Sequence, residues 1–146
     1  MAKPIYRIKW FKRQNGKLVG AYQDSTKYHP GRWTKTIAPV ICESGYHTCF
    51  LKSLARYRNS SNELWLVECR GDVAQSEGKD KEAWESIKLI RRLKFPSLSR
   101  LKNNIKISYH VEAYTSSTFI QDFAYTNELA AKTTMALYWN IPASCL

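Results

Sequence analysis

Nowhere does this sequence contain an apolar run approaching the roughly 20 residues that a membrane-spanning helix needs. Residues 1–9 also lack the apolar core of a signal peptide, so a soluble intracellular protein is expected, with no membrane partner. The P-loop, G-x-G-x-x-G, G-x-S-x-G and H-E-x-x-H patterns are all missing. Their absence removes the motif-based grounds for a nucleotide hydrolase, a dinucleotide enzyme, an esterase or a metalloprotease. Cysteine is sparse, with four in 146 residues. Without an export signal these read as reduced thiols, mostly buried, rather than as two disulfides. Acidic side chains are also few, 12 against 23 Lys and Arg, which leaves a formal net charge of +11.

What is present is enough apolar material, 44% of residues, for the core of one domain spanning 1–146. The positive charge is concentrated in two blocks. Residues 1–35 hold nine basic side chains and one acidic, and residues 87–106 hold seven basic and none acidic. The intervening stretch, 36–86, has six basic and eight acidic, and 107–146 has one and three. Twenty residues with seven cations and no anion repel one another unless an anionic partner compensates them, so a polyanion or an acidic protein is the expected partner.

Residues 4–11 partly alternate and are rich in β-branched and aromatic side chains, which predicts a strand. Asn15-Gly16 marks a turn, and residues 18–22 return as the second strand of a hairpin with Lys12, Arg13 and Lys17 near its tip. Residues 24–33 read as a loop anchored by Tyr28 and Trp33, with His29 exposed. The apolar run 39–42 suggests that Cys42 fills core. A short helix is predicted over 50–57, a central strand over 63–70 ending at Gly71-Asp72, and a further strand over 83–93. Beyond Phe95-Pro96, Leu98, Leu101 and Ile105 recur at helical spacing beside Arg100, Lys102 and Lys106, giving a short basic amphipathic helix. Residues 107–114 read as a strand. Thr118 and Gln121 have capping-box spacing ahead of one long helix over 119–138, with Ile120, Phe123, Ala124, Ala131, Met135 and Tyr138 on its apolar face.

The stretch 42–49, C-E-S-G-Y-H-T-C, is a polar knot around which these elements are arranged. Gly45 permits a positive φ and marks a tight turn. In extended backbone His47 and Cys49, two apart, face the same way. Cys42, His47, Cys49 and Cys69 are the residue types that bind zinc, but C-x4-H-x-C is not a usual ligand spacing. The favoured reading is therefore a structural turn with buried thiols and a histidine bonded to nearby backbone, with no metal and no cofactor. A Cys49-His47 nucleophile pair is the weaker alternative, since no third orienting residue is evident.

The knot, followed by Tyr57, by Val67-Glu68 before Gly71-Asp72-Val73, and by Lys81 and Ile87, resembles an uncharacterised family of small phage-encoded domains over residues 31–93. Those domains carry a C-x-x-G-[FY]-H-x-C motif, a Tyr-rich stretch, a V-E strand and a D-K segment. The resemblance implies a phage setting and a host-cell cytoplasm, and supplies no activity. A second likeness concerns element order: the Tyr6-Arg7 strand, the Tyr46-His47 turn, Tyr57 and the Trp65-to-Glu68 strand look like the split sheet of small ADP-ribosyltransferases. The late Glu motif of such enzymes is not visible, which leaves an NAD enzyme as an alternative resting on fold analogy.

The expected fold is thus a single α+β domain, with a mostly antiparallel sheet, an N-terminal hairpin and a C-terminal helix packed on one face. The expected function is binding of nucleic acid or of an acidic host protein through Lys88, Arg91, Arg92, Lys94, Arg100, Lys102 and Lys106, with Lys12 and Arg13 as a second contact. Cys42, Gly45, His47 and Cys49 take structural roles in this reading, no catalytic residue is assigned, and a zinc-stabilised interaction module is the further alternative.

Overall fold

Asn15 and Gly16 both adopt positive φ, 52° and 76°, the left-handed pair that a two-residue hairpin turn requires. They join strand β1, Ile5–Gln14, to β2, Lys17–Gly20, with Gln14 opposite Lys17, as the sequence predicts. The structure is a computed structural model that describes residues 3–21, 26–57, 62–105 and 115–146, without the side chains of 102–105. The strand expected over 107–114 lies outside the described residues.

The segment predicted as a loop after this hairpin is partly strand, because Lys27–Tyr28 pairs with β2 as the short β3. Tyr28 is buried there, with its ring edge-on to Phe11 and Tyr46. Strand β4, Tyr46–Cys49, comes from the knot. Residues 50–57 make two 3-10 turns, Leu51–Ser53 and Ala55–Tyr57, in place of the predicted α-helix.

Strands β5, Glu63–Gln75, and β6, Lys81–Leu93, form a long antiparallel hairpin. The predicted end at Gly71-Asp72 is instead a bulge. Gly71 has φ +85°, and a Cβ there would lie 2.6 Å from Glu85 Oε2, so the strand kinks past this point and continues. A second irregularity lies between Leu66 and Val67. These two bulges bend the hairpin enough for one part of β5 to pair with β1 while the turn end of β6 pairs with β4. The bridge between Ile8 and Cys49 then joins β4 to β1, so that β1, β5, β6 and β4 close on themselves as a small barrel.

Alternation along β5 sends Leu64 and Leu66 to one core and Trp65, Val67 and Cys69 to another. The second core also holds Phe11, Tyr46, Trp84, Ile87 and Leu89. The first is covered by α-helices. Helix α1, Leu98–Ile105, forms where predicted, with Leu101 buried against this core. Helices α2, Ser116–Thr126, and α3, Glu128–Trp139, present Phe119, Ile120, Phe123, Ala131, Met135 and Trp139 to Ile8, Trp10 and Leu64.

The single long helix predicted over 119–138 is two. Asn127 leaves helical backbone at φ −150°, ψ 82°, and its side chain accepts from Ala130 N to start α3. The first of the two helices is capped by Thr115, whose Oγ1 accepts from Thr118 N. Gln121 is not part of a capping box, since its Oε1 accepts from Ala55 N at 2.9 Å and ties α2 to the 3-10 turn. The break rotates α3, so that Tyr138 is 38% exposed while Trp139 is buried. Among the described residues no helix is long and apolar enough to cross a membrane.

Candidate functional site

Three cations of the basic block, Lys88, Arg91 and Arg92, fall on β6, where strand geometry distributes them over two faces, while Lys94 follows the strand and Arg100 and Lys102 fall on α1. Arg91 stands opposite Leu66 and Arg92 opposite Trp65, and those partners belong to different cores, so the two arginines point to opposite faces. Arg91 reaches the end of α3, donating from Nη2 to Trp139 O at 2.6 Å and Asn140 O at 3.4 Å. A cation on the last carbonyls of a helix is a structural contact.

Arg92 is nearly half exposed, and its Nε lies 3.7 Å from Glu63 Oε1. The other oxygen of that carboxylate accepts from Arg13 Nε at 2.8 Å. The two sequence-distant basic groups, hairpin tip and block, therefore meet around Glu63. Burial pushes the Glu63 carboxyl upward, but the hydrogen bonds from Arg13 and Trp65 and the charge of Arg92 outweigh it and hold the group below its ordinary range. Lys94 is exposed just beyond, its carbonyl accepting from Trp139 Nε1. Lys12 is half-buried opposite Val19 in the hairpin.

Lys88 takes a different role. Its Nζ lies 3.3 Å from Glu68 Oε2 and 4.9 Å above the Trp33 ring, which also carries the Arg70 guanidinium at 3.9 Å. Sequence reasoning missed this cluster of Trp33, Arg70 and Lys88. Arg70 stands two residues from Glu68 on one strand face, which a known register would have placed beside Lys88. Arg100 is exposed and lies 5.4 Å over the Tyr138 ring. Lys102 falls on α1 but its side chain lies outside the described residues, as does all of Lys106.

The knot lies at the opposite end of the β5–β6 hairpin, at its turn. Gly45 has φ +87°, and a Cβ there would meet Pro39 Cα and Trp84 O at 3.0 Å, so the turn needs glycine for both conformation and space. Cys42 does not fill core as the apolar run suggested. It is exposed, at φ 65°, with its N–H donating to His47 Nε2 at 2.9 Å and its Sγ 2.9 Å from Lys81 Nζ. The knot histidine is thus bonded to nearby backbone, as expected.

Lys81 also lies 5.5 Å over the ring of Tyr57, whose hydroxyl donates to Asp80 Oδ2 at 2.9 Å. Arg56 and Ser76 donate to the same carboxylate, each at 2.6 Å. Burial and Asp80 push the Tyr57 hydroxyl up to about 12, while the Ser76 hydrogen bond leads those that hold Asp80 below its ordinary value. Four residues of the sequence pattern, Cys42, His47, Tyr57 and Lys81, are gathered here by the fold.

Between the knot and β1 lies a buried polar group. Arg7 Nε pairs with Glu82 Oε1 at 2.7 Å, Gln75 donates to Glu82 Oε2, and Lys9 donates to His47 O. Thr48 Oγ1 and Trp84 Nε1 are buried without a partner. Cys49 is buried, and burial pushes its thiol up to about 12, which disfavours the thiolate that a Cys49-His47 nucleophile pair needs. Burial likewise raises Cys69 and Cys145. No three His, Cys, Asp or Glu side chains among the described residues are grouped to hold a metal ion. Of the residues named for an NAD site, Arg7 is committed to Glu82, and buried Tyr46 donates its hydroxyl to Lys35 O at 2.6 Å.

No curated protein and no solved structure matches the chain. A family match extends from β1, at residue 8, into α1, at residue 101. It is wider than the 31–93 of the sequence pattern, takes in the hairpin turn and β6, and leaves α2 and α3 outside. The part of the basic block from Lys88 to Arg100 therefore lies within the matched region. On this match the chain belongs to the family described as a domain of unknown function, DUF7666.

Proposed function

We propose that this protein is a phage-type nucleic-acid-binding module that docks on the phosphate backbone in the host cytoplasm. The observation that carries the reading is the meeting of Arg13 and Arg92 around Glu63, beside exposed Lys94 and the cationic hairpin tip. A shared carboxylate holds the two guanidinium groups in place and neutralises only one of them, so the surface stays positive. The phage setting is supported by the C-x-x-G-Y-H-x-C pattern at 42–49. Contacts of this kind position a polyanion without reading its sequence.

The test is the salt dependence of binding to short DNA and RNA. The logarithm of affinity should fall linearly with the logarithm of salt, by about 0.9 per phosphate contacted on a duplex and about 0.7 on a single strand. Replacing Arg13, Arg92 and Lys94 by Ala should reduce that slope by about one contact each. A flat salt response, or a slope unchanged in the triple variant, overturns the reading. Binding confined to an acidic protein also overturns it.

A further inference from the structure

We infer that Cys42 and Lys81 join through a reversible sulfur–nitrogen bond when the protein meets hydrogen peroxide, which makes this corner of the knot a site of oxidative modification. The pair sits at the turn end of the β5–β6 hairpin, away from the Arg13 and Arg92 surface, and owes nothing to the nucleic-acid reading. Cys42 Sγ lies 2.9 Å from Lys81 Nζ, in direct contact.

Both partners are held from outside that contact. Cys42 is fixed at φ 65°, a costly conformation for a residue with a Cβ, and its N–H donates to His47 Nε2 at 2.9 Å. The turn that carries it is closed by the bridge between Val40 and Ser44. Lys81 opens β6 opposite Cys49 of β4, and its ammonium lies 5.5 Å over the Tyr57 ring. The neighbouring carboxylate of Asp80 is occupied, with Oδ2 accepting from Arg56 and Tyr57 and Oδ1 from Ser76. The Lys81 nitrogen is left to the sulfur, on a flexible four-carbon stem that lets it close the remaining distance.

Of the four cysteines Cys42 alone is exposed, so it is the thiol that a peroxide in solution reaches. The chemistry takes two steps. In the first, the peroxide O–O bond breaks and an S–O bond forms, the sulfur is oxidised to a sulfenic acid, the peroxide is reduced and one water leaves. In the second, Lys81 Nζ gives up its ionic proton to solvent, attacks Sγ and displaces the hydroxyl, which leaves as water with one N–H proton. A nitrogen already in contact outcompetes external thiols by its high local concentration. Excess thiol reverses the bond by attacking Sγ and releasing the amine, and a second thiol then reduces the mixed disulfide.

The experiment treats wild type, Lys81→Arg and Cys42→Ser with hydrogen peroxide, reads the intact masses, then blocks the remaining thiols with iodoacetamide and maps tryptic peptides by mass spectrometry. Circular dichroism melting checks that each variant folds, and the wild-type peptide map decides the case by itself. Wild type should lose about 2 Da, the hydrogens of one S–H and one N–H, and yield a peptide in which Cys42 is linked to an uncleaved Lys81. Dithiothreitol should separate the two. Lys81→Arg keeps the charge but should abolish the link and leave Cys42 as a sulfenic acid that dimedone captures, while Cys42→Ser should show neither product. Wild-type Cys42 found unreacted, as a sulfinic or sulfonic acid, or in an intermolecular disulfide, with trypsin still cutting after Lys81, overturns the inference. A link that survives in Lys81→Arg overturns it as well.

Discussion

At Gly45 a single hydrogen atom where other residues carry Cβ lets the knot close against Pro39 and the Trp84 carbonyl. Gly45→Ala must strain a positive φ and displace backbone on the neighbouring strand, so a loss of about 1–3 kcal/mol is expected, read as a lower urea midpoint. The four cysteines differ by exposure. With Cys42 exposed and Cys49, Cys69 and Cys145 buried, a thiol reagent at neutral pH should label one site quickly and the other three only as the protein unfolds. Mass spectrometry should place the fast site on Cys42, and rapid labelling of Cys49 would contradict the fold around β4. Asp80 is held below its usual carboxylate value of 3.8 by Ser76 and its other partners. Because the folded form has the lower pKa, its contribution to stability is complete above that value and fades as pH falls through the depressed one. Asp80→Asn should therefore cost about 1–3 kcal/mol at pH 7 and flatten the acid limb of the stability curve.

Two neighbouring arginines separate structure from binding at the scale of elements. Arg91 holds the α3 carboxyl end and Arg92 stands on the opposite face, so their Ala variants should behave differently. Arg91→Ala should lower the melting temperature, for a loss of about 1 kcal/mol, and leave the salt slope of nucleic-acid binding unchanged. Arg92→Ala should do the reverse. Alternation alone predicts that adjacent residues of a strand part company, but which of the two meets a helix end depends on where that helix lies. The same dependence explains the helix break. Residues 119–138 have apolar side chains compatible with one continuous helix, while Asn127 is a good cap whose choice between interior and cap depends on what α2 and α3 pack against.

For the whole molecule, the helical layer and the closed sheet share one core, in which Phe119 is fully buried. Phe119→Ala should cost about 3–5 kcal/mol and lower the stability of sheet and helices together, seen as coincident unfolding by far-UV circular dichroism and tryptophan fluorescence. Two separated transitions would mean that α2 and α3 fold as an independent layer. The family match stops at residue 101, before those helices begin, so in this chain they cover a face that the matched region alone leaves open. The net charge of +11 is likewise a property of the whole chain, and the binding reading draws on one part of it, exposed Arg13, Arg92 and Lys94.

Local chemistry was legible because it depends on neighbours in the chain. The Asn15-Gly16 turn, the two-sided burial of Leu64 to Val67, the β6 strand, the helix at Leu98 and the requirement for glycine at 45 all come from backbone preferences and side-chain periods within a few residues. Only tertiary structure decided that Arg13 meets Arg92, that Cys42 is exposed beside Lys81, and that β4 returns to β1. Each of these depends on long-range register, and two bulges in one hairpin set that register. A shift of one residue reverses every side chain beyond it, so composition and spacing carry the cations and the thiols but not the faces on which they meet.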